Sequence, residues 1–148
     1  MTDFSKLIPE LPEWNNGAGI DVVSWIGCVG DFEKAIGYST IFWPKFVEID
    51  GFIVREGTTK DNIKSFEKQC GGERKQIESL INHLHIRDIQ YWECPGSTPE
   101  RLAYLGKVLK ETYECKLKRD FPDRQLVVEL TEGDSEDLDG FMITFFQI

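Results

Sequence analysis

The chain has 148 residues, enough for one sizeable hydrophobic core, with 41% hydrophobic and 12% aromatic residues. Its 26 acidic and 17 basic side chains leave a net charge of −9. Such a chain is too apolar to be wholesale disordered, and too acidic to be a general ligand for nucleic acid, which is bound by Lys and Arg displacing counterions.

The first nineteen residues read as an arm that lies against the domain. Pro9 and Pro12 block regular hydrogen bonding, Asn15, Asn16, Gly17 and Gly19 suit a turn with positive φ, and Leu7, Ile8, Leu11 and Trp14 supply apolar contacts. Residues 20–29 are rich in β-branched and aromatic side chains (Val22, Val23, Trp25, Ile26, Val29) and read as a buried strand. Gly30-Asp31 offers a turn and an N-cap for a helix over 32–42, which Pro44 ends. Apolar runs at 45–49 and 52–55 flank Asp50-Gly51, a β-hairpin signal with a type I′ turn.

Thr58 or Thr59 caps a helix through about Gln69, stopped by Gly71-Gly72, and a second helix follows from Glu73 to about His83. Residues 86–92 read as a short strand, and Cys94-Pro95-Gly96 as a turn. Ser97-Thr98-Pro99-Glu100 carries a capping-box signature and opens a helix to about Arg119, with Leu102, Leu105, Leu109, Tyr113 and Leu117 on one side. Two strands, 124–130 and 141–147, close the chain around an acidic linker. The sum is an α+β fold of one domain, a largely antiparallel sheet of the central hairpin and the C-terminal strands packed by a few helices. If the apolar last strand lies at a sheet edge it needs covering, and a dimer is one way.

No stretch approaches the roughly 20 apolar residues of a membrane span, and Met1-Thr2-Asp3-Phe4-Ser5-Lys6 is not the start of a signal peptide. The four cysteines, Cys28, Cys70, Cys94 and Cys115, form no C-x-x-C pair and read as reduced, mostly buried thiols of a cytosolic protein. Lys107, Lys110, Lys116, Lys118 and Arg119 are diluted by Glu111 and Glu114, the mixture of a solvated helix face.

No glycine-rich phosphate loop, nucleophile elbow, zincin helix or dinucleotide fingerprint occurs. The metal-capable side chains concentrate at His83-Leu84-His85 with Asp88. On a strand the two imidazoles share a face and can bind one divalent ion, with Glu48 and Asp50 of the hairpin completing the site. The competing explanation is a pair of helix-terminal histidines bonded to carbonyls. Tyr38 and Trp43, with Trp92 elsewhere, belong either to core packing or to an aromatic ligand pocket. Glu132, Asp134, Glu136, Asp137 and Asp139, with Glu129 before them, carry negative charge with no base among them. That is a solvated hairpin loop or a surface for a basic protein partner; it lacks the ligand register of an EF-hand.

Trp14-Asn15-Asn16-Gly17-Ala18-Gly19-Ile20, Ile36-Gly37-Tyr38, Phe42-Trp43-Pro44-Lys45-Phe46-Val47-Glu48-Ile49-Asp50-Gly51 and Asn82-His83-Leu84-His85-Ile86 together resemble an uncharacterised family of small bacterial proteins of this length. Arg119-Asp120-Phe121-Pro122-Asp123-Arg124 and the closing Thr144-Phe145-Phe146-Gln147 fit the same pattern. The resemblance implies a bacterial, single-domain protein and transfers no activity. Members can carry His where this chain has Ile49, so a histidine site built on that position is lost here. The leading expectation is a small, acidic, cytosolic protein-binding module, immunity-protein-like or regulatory, that needs no cofactor. The alternatives are a metal-dependent hydrolase using the His-x-His and carboxylate cluster, and a small-ligand domain with an aromatic pocket.

Overall fold

Packing divides the chain into two compact units, Met1–Ser39 and Thr40–Ile148. The computed structural model describes residues 1–91 and 93–148, so Trp92 lies outside the described residues.

In the N-terminal unit, α1 (Phe4–Leu7) starts on Asp3, and a single 3-10 turn at Leu11–Glu13 leads into the short α2 (Trp14–Gly17). Asn15, Asn16, Gly17 and Gly19 all take positive φ, as the Asn/Gly cluster predicts, and Asn15 Nδ2 donates to the Gly19 carbonyl at 2.8 Å. The strand expected over 20–29 is instead a helix, α3 (Val22–Val29). Asp21 caps it, accepting from the Ser24 N–H at 2.9 Å and the Ser24 hydroxyl at 2.6 Å. A cap of this kind contributes about 1 kcal/mol, enough to outweigh the small helix penalty of each valine. Asp31 then accepts from the Lys34 N–H at 2.7 Å and opens α4 (Phe32–Phe42), the helix the sequence predicts.

In the C-terminal unit, β1 (Phe46–Ile49) and β2 (Phe52–Arg55) form the expected hairpin, with Ile49 opposite Phe52. Asp50 and Gly51 adopt φ of 52° and 86°, the left-handed pair that the turn requires. A reciprocal capping box of Thr59 and Asn62 starts α5 (Lys60–Cys70), and Gly71 stops it at φ 66°. After α6 (Arg74–Ile81), β3 (Leu84–His85) pairs for two residues only. The strand expected over 86–92 is corrected to a 3-10 turn at Ile86–Ile89: Ile86 N–H still bonds the Phe141 carbonyl at 2.8 Å, but its side chain turns into the core and pairing ends. In α7 (Pro99–Asp120) the cap is Thr98 rather than Ser97, so Pro99 takes the first helical position. The strands β4 (Leu126–Thr131) and β5 (Met142–Gln147) close the chain. No helix among the described residues is long and apolar enough to cross a membrane.

The hairpin and the C-terminal strands were expected in one sheet, and they form two: β1-β2, and β3-β5-β4, all antiparallel. What joins them is a pair of side chains one turn apart, Glu78 on α6 and Asn82 at its C-cap. Because β3 is so short, it leaves the Phe145 carbonyl and the Gln147 N–H of β5 uncovered on that side. Asn82 Nδ2 donates to Phe145 O at 3.2 Å and to Ile53 O of β2 at 2.8 Å. Glu78, fully buried, accepts from Ile53 N–H at 2.8 Å, Gln147 N–H at 2.7 Å and Gln147 Nε2 at 2.6 Å. Two helix side chains thus take the place of a missing ladder. β5 is central, so its apolar run has no open edge and the reason for a covering dimer disappears.

Both faces of the hairpin are covered. Phe46 and Ile53 join the main core with Leu109, Tyr113 and Leu117 of α7, Val128 of β4, and Ile143 and Phe145 of β5. Phe52 and Val54 face the other way, against Ile63 of α5 and Ile77 of α6. Gly106 lets α7 close on β4: a Cβ there would stand 2.8 Å from a Leu130 methyl.

Candidate functional site

Two concave features stand out, one in each unit. In the N-terminal unit, α3 and α4 are joined at Gly30-Asp31 and both line a groove that leaves apolar surface in solvent. Val23 and Phe32 are 79% and 89% exposed, and Ile26, Val29, Ile36 and Tyr38 are exposed with them. Between the helices runs a groove of about 700 Å³. Val23, Ile26, Gly27 and Gly30 present one helical stripe to it, and Asp31, Lys34, Ala35 and Tyr38 the other. Its floor is made of small residues: a Cβ added at Gly27 meets nothing within 4 Å. Contiguous exposed apolar surface of this kind is what soluble proteins bury against partners. The charge of the unit is one-sided. Residues 1–39 hold six acids (Asp3, Glu10, Glu13, Asp21, Asp31, Glu33) against Lys6 and Lys34, and Lys34 is tied to Asp31 at 2.7 Å. Cap hydrogen bonds from Ser24 and Lys34 hold the Asp21 and Asp31 carboxyls below the usual carboxylate range, so both stay ionised at neutral pH.

In the C-terminal unit, a cleft of about 720 Å³ opens beside the end of β2. Its walls are apolar and aromatic (Ile41, Trp43, Leu84, Ile89), and Arg55, Thr58 and Tyr113 project polar groups into it. Tyr113 is 1% exposed, and its hydroxyl donates to the Ile41 carbonyl only at 3.5 Å. Burial pushes that hydroxyl above its ordinary pKa, against the opposing pull of the Arg55 charge and hydrogen bond. Lys45 in the rim is neutralised by Glu56 at 2.6 Å.

The five residues proposed for a metal are not gathered. His83 and His85 do lie side by side, ring centroids 5.4 Å apart, but each Nδ1 is engaged by a carbonyl: Leu80 O for His83, and Asp139 O at 2.7 Å for His85. Glu48 is held by Arg124 at 2.7 Å and Asp50 by Lys60 at 3.0 Å, while Asp88 lines the cleft. Among the described residues no three His, Cys, Asp or Glu side chains converge on a point that would hold an ion.

The carboxylates of the acidic loop work largely within their own neighbourhood. Asp134 accepts from the N–H groups of Glu136 and Asp137 at 2.8 and 3.0 Å, and Asp137 from that of Gly140 at 3.0 Å. Asp139 pairs with Arg87 at 3.3 Å and Glu132 with Lys107 at 3.7 Å. Among the described residues the Glu136 side chain makes no such bond. His85 and Arg87 both reach Asp139, so the His-x-His segment and the acidic loop meet at one point, which neither run of sequence announces.

Of the aromatic trio, Tyr38 sits on the groove and Trp43 on the cleft, and Trp92 lies outside the described residues. Trp43 is also stacked under two cations, Lys116 and Arg119, each 5.2 Å from the ring centroid. The expectation of mostly buried thiols is corrected: Cys28, Cys94 and Cys115 are exposed, and Cys70 is half-buried against the cluster of Ile63 and Ile77. The groove is the feature that the sequence reading missed. Its signal was available in Asp21 three residues before Ser24, a capping pattern that the β-branched content of 20–29 masked.

No protein family, curated protein or solved structure matches the chain.

Proposed function

We propose that this protein is a protein-binding module in which the groove of α3 and α4 receives an amphipathic helix with basic flanks. The observation that carries this reading is the open groove of α3 and α4, with Val23, Ile26 and Phe32 in solvent and Gly27 leaving room at its floor. Helices dock into such grooves through side chains spaced at three and four residues. The acidic surroundings select the partner's sign, since positive flanks steer association and negative ones oppose it. The acidic loop contributes less than the sequence reading gave it, because four of its five carboxylates already hold backbone or cations. Three exposed free thiols support a reducing, cytosolic setting for the module. Its action is occupancy, blocking or tethering the partner, in keeping with a regulatory or immunity-type role.

The test uses two designed helical peptides with one leucine stripe, flanked by lysine in one and by glutamate in the other. The lysine peptide is expected to shift amide resonances of residues 23–38 and to bind at least about tenfold more tightly than its glutamate twin at low salt. Gly27→Trp places an indole on the groove from a position where a Cβ meets nothing within 4 Å, and is expected to abolish that binding while leaving the unfolding midpoint of the C-terminal unit unchanged. Equal affinity for the two peptides, shifts confined to residues beyond 40, or a wild-type protein that self-associates through the same groove would each overturn the reading.

A further inference from the structure

We propose that the cleft of the C-terminal unit binds a small organic monoanion, a carboxylate on a flat or branched apolar body, with Arg55 as its anchor. The cleft shares no residue with the groove of α3 and α4, so the two readings stand or fall separately.

Arg55 ends β2, opposite Phe46, a rigid position at the edge of the core. One of its N–H groups donates to the His83 carbonyl at 3.2 Å, and a guanidinium has five to give. Arg87, Arg119 and Arg124 each hold a carboxylate; Arg55 forms no ion pair among the described residues. A half-buried cation facing a concavity without a counter-ion is a ready partner for an anion, and the planar fork suits a carboxylate. The Tyr113 hydroxyl, poorly satisfied by Ile41, and Thr58 supply further donors beside it.

The remaining lining sets the rest of the ligand. Ile41, Trp43, Leu84 and Ile89 form apolar walls around a volume of about 720 Å³, within the size range of small-molecule sites. Lys45 and Glu56 cancel each other, and Asp88 adds one negative charge. Arg55 and Asp88 then leave the lining without net charge, so a monoanion paired with Arg55 is repelled by Asp88 about half as strongly as a dianion such as phosphate.

Titration of the isotope-labelled full chain with phenylacetate, phenylacetamide and inorganic phosphate, followed by amide resonances, tests this directly. Phenylacetate is expected to shift Arg55, Thr58, Leu84 and Ile89, with the amide and phosphate at least about tenfold weaker. Arg55→Gln is expected to abolish the phenylacetate shifts. Since Arg55 also holds the His83 carbonyl, the acid–amide comparison on the unaltered protein decides the question if the variant does not fold. No shift with phenylacetate, equal binding of acid and amide, tighter phosphate, or binding retained by a folded Arg55→Gln would overturn the proposal.

Discussion

Replacing Glu78 by glutamine tests whether α6 truly stands in for a missing ladder. The carboxyl accepts three N–H donors, two at one oxygen and one at the other, and faces no acceptor. Glutamine keeps the shape but has one acceptor. In its better setting the amide oxygen serves Ile53 N–H and Gln147 Nε2, and its NH2 then points at the Gln147 N–H. One backbone donor and one amide group are left buried without partners, at about 1 to 3 kcal/mol for each group before relaxation. A net loss of about 2 to 4 kcal/mol is expected, a large part of the roughly 5 to 15 kcal/mol that holds a domain folded. Glu78→Ala orphans both backbone donors and opens a cavity, so it should cost about 1 to 2 kcal/mol more. Urea unfolding monitored by circular dichroism gives both values, with Glu111→Gln on the exposed face of α7 as a control expected within about 0.5 kcal/mol of wild type. A Glu78→Gln protein as stable as that control would refute the bridge.

Two further outcomes follow from single contacts. The Lys116 hydrogen bond, then that of Arg119, holds the Asp120 carboxyl below its ordinary value. The folded chain therefore binds the ionised form better, and this contribution is present above the unfolded pKa of about 3.9 and lost as pH falls through the lower folded value. Asp120→Asn should destabilise at neutral pH, and its gap to wild type in urea midpoint should close in acid; a gap constant down to strong acid contradicts this. At Gly133 a Cβ would overlap the Asp137 carbonyl and stand 3.1 Å from Gly140 backbone atoms. Gly133→Ala should cost about 1 to 3 kcal/mol and shift amide resonances across 132–141, whereas a silent substitution would mean that the acidic loop is not closed on itself.

What could be read ahead of the structure was local. Asp50-Gly51, the Thr59 cap and the Thr98-Pro99 start each encode their element within four residues, and those elements appear as expected. Residues 20–29 failed because two local signals disagreed there, β-branched content and an Asp21 cap, and the cap prevailed. The turn at Ile86–Ile89 failed for a distant reason: how far β3 runs depends on where Phe141 and Ile143 sit, over fifty residues away. Glu78 and Asn82 look like ordinary solvated positions of α6 and its C-cap until β2 and β5 arrive on either side. The same holds for the sites. Arg55 is unremarkable in sequence, and only folding shows that it pairs with no carboxylate among the described residues while its neighbour Lys45 pairs with Glu56.

Burial is distributed unevenly between the units, and the unevenness bears on what the groove is for. Every buried hydrophobic residue except Leu11 belongs to Thr40–Ile148, where the polar groups of α6 are also spent on the strands. The N-terminal unit leaves five apolar side chains of α3 and α4 outside: Val23, Ile26, Val29, Phe32 and Ile36 are all exposed. Chains below about 40 residues rarely bury enough surface to be stable without a staple or an association, and no disulfide joins the described residues of Met1–Ser39. Glycine in the middle of both helices, Gly27 and Gly37, costs each about 1 kcal/mol relative to alanine. On the proposal that a helix docks here, a pair of helices weak by composition yet rich in exposed apolar surface would gain more from docking than a rigid pair, because binding would supply the core it lacks. Such a partner would be captured reversibly, with ordering on contact.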